Sequence, residues 1–127
     1  MKEIVKTDKA PAAIGPYSQA VKIQAGKLVF CSGQIPIDPR SGEIVGKTSA
    51  EQCKQVMDNI AGLLKAAGSD VSKIIKTTIF MTDLRDFVMV NEMYSTYFTS
   101  DTPARSTVEV SRLPKDVKIE IEVVAFV

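Results

Sequence analysis

The sequence predicts an α+β fold, a two-layer sandwich in which two helices cover one face of a mixed six-stranded sheet. Two stretches, opening near Ser49 and Asp86, repeat apolar residues at helical spacing, and six shorter runs have strand character. The second helix falls between two of those runs, a strand–helix–strand crossover that makes them parallel neighbours. Size agrees: 127 residues, 45% apolar and 24% charged, suit one globular domain over 1–127.

Residues 4–6 read as a short first strand. Residues 10–16 hold two prolines and a glycine, a loop that carries Tyr17 at its far end. Locally, that tyrosine is either a boundary aromatic with a wet hydroxyl or one wall of a small pocket. Residues 20–23 and 28–32, separated by Gln24-Ala25-Gly26-Lys27, read as a β-hairpin. Ser32 and Gly33 end its second strand, where a glycine either makes a turn or lets a ligand or another backbone come close. Residues 34–47, with Pro36, Pro39, Gly42 and Gly46, are a long turn or loose hairpin. Three residues separate Gly42 from Gly46, whereas a phosphate-binding P-loop needs four, so the GEIVGKT run is set aside.

Ser49 with Gln52 forms a capping-box start, followed by Cys53, Val56, Met57, Ile60, Leu63, Leu64 and Ala67 at helical spacing and closed by Gly68. Residues 74–81 are a strand. Asp86 caps a second helix with the face Phe87, Val90, Asn91, Tyr94, Tyr97 and Phe98, in which Asn91 is polar within an apolar stripe. Residues 107–110 and 118–127 are the last strands. A tight hairpin between them would set Glu109 opposite Glu120, an unfavourable pairing. The final strand therefore belongs in the centre, between the N-terminal hairpin and the crossover unit. The sheet's second face is too apolar to stay in water, which points to self-association.

Sixteen basic residues nearly balance fifteen acidic ones, giving a net charge of +1, so the basic footprint of a nucleic-acid binder is missing. There is no histidine, which removes histidine triads and histidine metal ligation. Cys31 and Cys53 match no metal or redox spacing and read as small buried apolar residues. The first residues, MKEIVKTDK, contain no apolar leader, and no run approaches a membrane span, so a cytoplasmic protein is expected.

Two residues stand out chemically. Arg105 emerges where a loop becomes a strand, and Glu120 lies within a strand whose other face is Ile119, Ile121, Val123, Ala125 and Val127. Read locally, they are an ion pair or a site. PARS at 103–106 followed by VEVSRLPKDVKIEIE at 108–122 resembles the C-terminal signature of the RidA-type reactive intermediate deaminases. The resemblance extends to AIGPYSQ at 13–19, SGQIP at 32–36, Asp86-Phe87 and Val90-Asn91, and so covers nearly the whole chain.

That resemblance implies a chorismate-mutase-like fold, a homotrimer with sites in the clefts between subunits, and hydrolysis of enamines and imines to 2-oxo acids and ammonia without a cofactor. It implies that Arg105 holds a small carboxylate substrate, that Glu120 orients water, and that Tyr17, Ser32, Gly33, Asn91 and Thr107 line the pocket. A guanidinium fork fits a carboxylate bidentately, and an ionised glutamate suits a water acceptor better than a proton donor. Many relatives carry cysteine where this chain has Thr107, which excludes thiolate chemistry there. The segment 99–102 is also shorter than in some relatives. The competing function is a non-catalytic module that binds small carboxylate metabolites and acts on a protein partner; only the enzyme needs Glu120. RNA cleavage, also attached to relatives, is disfavoured by balanced charge and the lack of histidine.

Overall fold

The strand that comes last in the chain takes the middle of the main sheet. The computed structural model describes residues 2–24 and 26–127. In it, β6 (Ile119–Phe126) runs antiparallel between β3 (Leu28–Gln34) and β4 (Ile74–Met81). β5 (Ala104–Glu109) lies parallel to β4 at the far edge, giving the order β3-β6-β4-β5. Both the central place of the last strand and the parallel crossover match expectation, and Glu109 never faces Glu120.

All six expected strands form, with two helices, in a mixed arrangement divided over two sheets. β1 (Lys2–Val5) pairs with β2 (Ala20–Ile23) in a separate two-stranded sheet. The expected hairpin of 20–23 with 28–32 is therefore not made among the described residues, and Ala25 of its connection lies outside them. The physical reason is the partner available to β3: along β6 it sets Val29 and Cys31 against the apolar core. β2, only four residues long with Val21 and Ile23 half-buried, pairs with β1 instead.

Both helices lie on one face of the main sheet. α1 (Ser49–Ala66) buries Cys53, Val56, Met57, Ile60 and Leu64 against Ile79, Met81, Ile119, Ile121, Val123 and Ala125. α2 (Phe87–Ser95) adds Val90 and Tyr94 to this core. The capping box exists one residue earlier than expected: Thr48 accepts from the Glu51 amide at 3.1 Å, and the Glu51 carboxylate accepts from the Thr48 amide at 3.1 Å. Ser49 and Gln52 are otherwise engaged. Ser49 donates to Asp86 at 2.6 Å, and Gln52 joins the Gly46 carbonyl to the Lys118 amide. Asp86, so occupied, does not cap α2; Asp83 caps the 3-10 turn that leads into it. Gly68 closes α1 with φ of 77°, as glycine favours.

Within 34–47, Ile37 bridges Ile44 in the expected loose hairpin. The face of the main sheet away from the helices carries Leu28, Phe30 and Val108 in the open, with Phe30 75% exposed. No helix among the described residues is long and apolar enough to cross a membrane.

Candidate active site

Parallel register fixes where Arg105 points. It sits opposite Thr77, whose side chain is buried on the helix side of the sheet, so Arg105 reaches toward α2. Its Nη1 donates to Asn91 Oδ1 at 2.7 Å. The guanidinium carbon lies 5.3 Å from the ring centre of Tyr17 and 5.4 Å from those of Phe87 and Tyr94. Three ring faces thus surround one cation. A Cβ added at Gly15 would stand 3.5 Å from Nη2, so the loop that delivers Tyr17 also brings its backbone close.

The sequence marks Phe87 and Tyr94 only as members of the apolar face of α2, and neither is among the expected site residues. The signal was available, because Phe87, Asn91 and Tyr94 occupy positions i, i+4 and i+7 of one helix face. Tyr94 is fixed in turn by a 2.9 Å hydrogen bond with Thr77. Burial pushes the Tyr94 phenol up to about 12, against the opposing effects of that hydrogen bond and of the Arg105 charge, so the ring stays neutral.

Among the described residues, no carboxylate forms an ion pair with Arg105. The pairing with Glu120 that local sequence allowed is absent for a geometric reason. Ile119 and Ile121 fill the core, so Glu120 and Glu122 emerge on the opposite face, with Glu120 beside Phe80. Burial pushes the Arg105 pKa down, opposed by the nearby phenols of Tyr94 and Tyr17. The group nonetheless remains a cation, half-buried and without a counter-ion among the described residues.

Glu120 has its own close neighbour. The register of β3 on β6 shifts between Cys31 and Gln34, so Ser32 and Gly33 lie in a bulge within β3 rather than at its end. A Cβ at Gly33 would fall 1.9 Å from Glu120 Oε2 and 2.8 Å from its carboxyl carbon. The close approach anticipated at this glycine is made by the chain's own carboxylate. Arg105, Asn91 and Tyr17 therefore form one half of the predicted site, and Gly33 and Glu120, with Ser32 beside them in the bulge, the other. A single chain holds these halves on opposite faces of its sheet.

Thr107 belongs with Arg105. It follows two positions along β5, opposite Ile79, and its buried Oγ1 has no hydrogen-bond partner among the described residues. An orphaned hydroxyl beside an unpaired guanidinium is costly in isolation and well suited to a polar ligand. The thiols are not comparable: both cysteines are free and buried, and burial pushes Cys53 up to about 12.

Fold and site together define a small α+β protein with an arginine caged by three rings on one face of its main sheet and a carboxylate against a glycine on the other. The chain belongs to the endoribonuclease L-PSP family, whose model matches residues 7–127, and the resemblance to RidA-type deaminases holds within it. A RutC family protein of Pyrococcus horikoshii is 52% identical over 126 residues, which is 99% of this chain and 98% of that protein. The 2-iminobutanoate/2-iminopropanoate deaminase of Escherichia coli K12 is 49% identical over 128 residues, covering 98% of each. The crystal structure of E. coli TdcF with bound serine matches with a TM-score of 0.76 at 45% identity, over 98% of both chains.

Proposed function

We propose that this protein hydrolyses the imines and enamines of small 2-amino acids, 2-aminoacrylate and 2-aminocrotonate among them, to 2-oxo acids and ammonia. The observation that carries this reading is Arg105: a half-buried guanidinium held in place by neutral groups alone. Such a fork takes a substrate carboxylate in one orientation. The named activity of the E. coli relative and the small amino acid bound by TdcF support the same substrate class.

The remaining chemistry needs Glu120, and the opposed halves imply a second copy of the chain. The exposed Phe30, Leu28 and Val108 lie on the face that bears Glu120; a second copy that packs the rim of its arginine cleft onto this face would join Arg105 of one copy to Glu120 of the other. A closed homotrimer satisfies every such face at once. There, Arg105 pins the substrate, the Thr107 hydroxyl meets its polar end, and Tyr17 covers the cleft. An enamine first takes up a proton at its β-carbon to become the imine; Glu120 then accepts a proton from water as the oxygen adds to the imine carbon and passes it to the nitrogen. The resulting carbinolamine gives up its hydroxyl proton through the same carboxylate as the C–N bond breaks, releasing ammonia and the 2-oxo acid and leaving Glu120 ionised. A positioned water with one base contributes roughly 10²–10⁴-fold, enough for a readily hydrolysed C=N bond.

The test is 2-oxo acid release by a threonine or serine dehydratase with and without this protein. Wild type accelerates release; Arg105→Ala, with fold and oligomer size unchanged, loses at least about 10-fold through weaker carboxylate binding. Glu120→Gln lowers turnover by about 10²-fold while retaining 2-oxo acid binding. No acceleration by wild type overturns the hydrolase and leaves a carboxylate-binding module.

A further inference from the structure

Among the described residues, the Asn91 amide oxygen is the only acceptor that hydrogen-bonds the Arg105 guanidinium. Asn91 stands on α2 between Phe87 and Tyr94, the two helix rings of the cage. Arginine carries donors only, so the amide must present its oxygen. A carboxylate of the same size would bond more strongly, but it would neutralise the fork that a ligand needs. An amide orients the guanidinium and leaves its charge intact.

We infer that Asn91 is a positioning residue that sets the cleft's selectivity for anionic substrates, by fixing Arg105 through a neutral acceptor and leaving its charge and its other N–H donors to the ligand. This rests on the reading of Arg105 as the carboxylate anchor. The consequence is an inverted order of substitutions. Asn91→Asp preserves size and hydrogen bond but supplies an internal anion, whereas Asn91→Ala removes the contact and leaves the cation free.

Binding of pyruvate and of its neutral amide, measured by calorimetry on the assembled protein, separates the two cases, with thermal midpoint as the fold control. Asn91→Asp weakens pyruvate binding by about 100-fold, abolishes the preference for pyruvate over the amide, and keeps or raises the midpoint. Asn91→Ala weakens pyruvate by about 10-fold and retains the preference, with a lower midpoint. In the dehydratase assay the Asp variant shows the loss in KM rather than kcat. A purely structural asparagine gives the opposite order, so an Asp variant that binds pyruvate as well as the Ala variant overturns the inference. Should Asn91→Asp fail to fold, Asn91→Glu supplies the anion one methylene further out and must also lose the preference. Wild type that accelerates no imine hydrolysis yet shows this order refutes the hydrolase alone. Acceleration by wild type with unchanged selectivity in the Asp variant refutes the role of Asn91 alone.

Discussion

Gly33 shows how little separates backbone from function at the residue scale. The added methyl of Gly33→Ala would overlap the Glu120 carboxylate, the far end of a flexible side chain, so the chain accommodates it by swinging Glu120 aside. The expected outcome is a folded variant with a nearly unchanged thermal midpoint and turnover reduced by about 10²-fold, since a misplacement of about 1 Å at a catalytic group has that effect. A variant with full turnover would show that Glu120 has no fixed working position. Arg105 and Glu120 were legible as residues because each is chemically out of place, a cation at a loop-to-strand junction and an acid within an apolar strand. Their separation was not, because it depends on which partner each strand takes: Arg105 registers with Thr77 and Glu120 with Phe80, one residue parity apart along β4. Phe87 and Tyr94 were concealed by their own apolarity, since a ring that cages a cation and a ring that fills a core look alike in sequence.

At the scale of elements, the helices were readable from periodicity and their ends were not. Thr48-Ser49 followed by Glu51-Gln52 offers two overlapping capping boxes, and tertiary hydrogen bonds to Ser49 and Gln52 select the first. The misassigned hairpin has a similar cause: four-residue strands carry too little pattern to declare a partner. The tie between the helices also reached beyond local sequence. Asp58 of α1 accepts from Lys54 Nζ at 2.8 Å and from the Tyr97 hydroxyl, just beyond α2, at 2.6 Å. Partial burial opposes ionisation of Asp58, but the bonds from Lys54 and Tyr97 outweigh it and hold the carboxyl below its ordinary value of 3.8. A depressed carboxyl stabilises the fold above its unfolded-state pKa, and the contribution fades as pH falls through the folded one. Wild type should therefore exceed Asp58→Asn in urea stability at neutral pH, and the gap should close below about pH 4. A gap that persists unchanged at pH 2 would show that the carboxylate charge is not what joins the helices.

For the whole molecule, the sandwich was legible because the core obeys one rule throughout: odd-numbered residues of β6 face the helices and even-numbered ones face away. What covers the second face is not written in any one chain, because composition reveals an excess of apolar surface but not its symmetry. Phe30, largely exposed in the single chain, is the place to ask. Phe30→Lys should leave the secondary structure intact, shift the sedimenting species to the monomer, and abolish imine hydrolysis together with assembly, since each half-site would lose its complement. A trimer that survives with full activity would place the interface elsewhere. The central position of β6 carries one more consequence, for the order of events as the protein is made. Translation delivers β3, α1, β4 and β5 before the strand that joins β3 to β4 exists. Val29, Cys31, Ile79 and Met81 have no β6 residues beside them in the sheet until that strand is made. A nascent chain of this kind has no halfway house at which a part of its main sheet is finished, so that sheet closes only once the C-terminal strand has emerged.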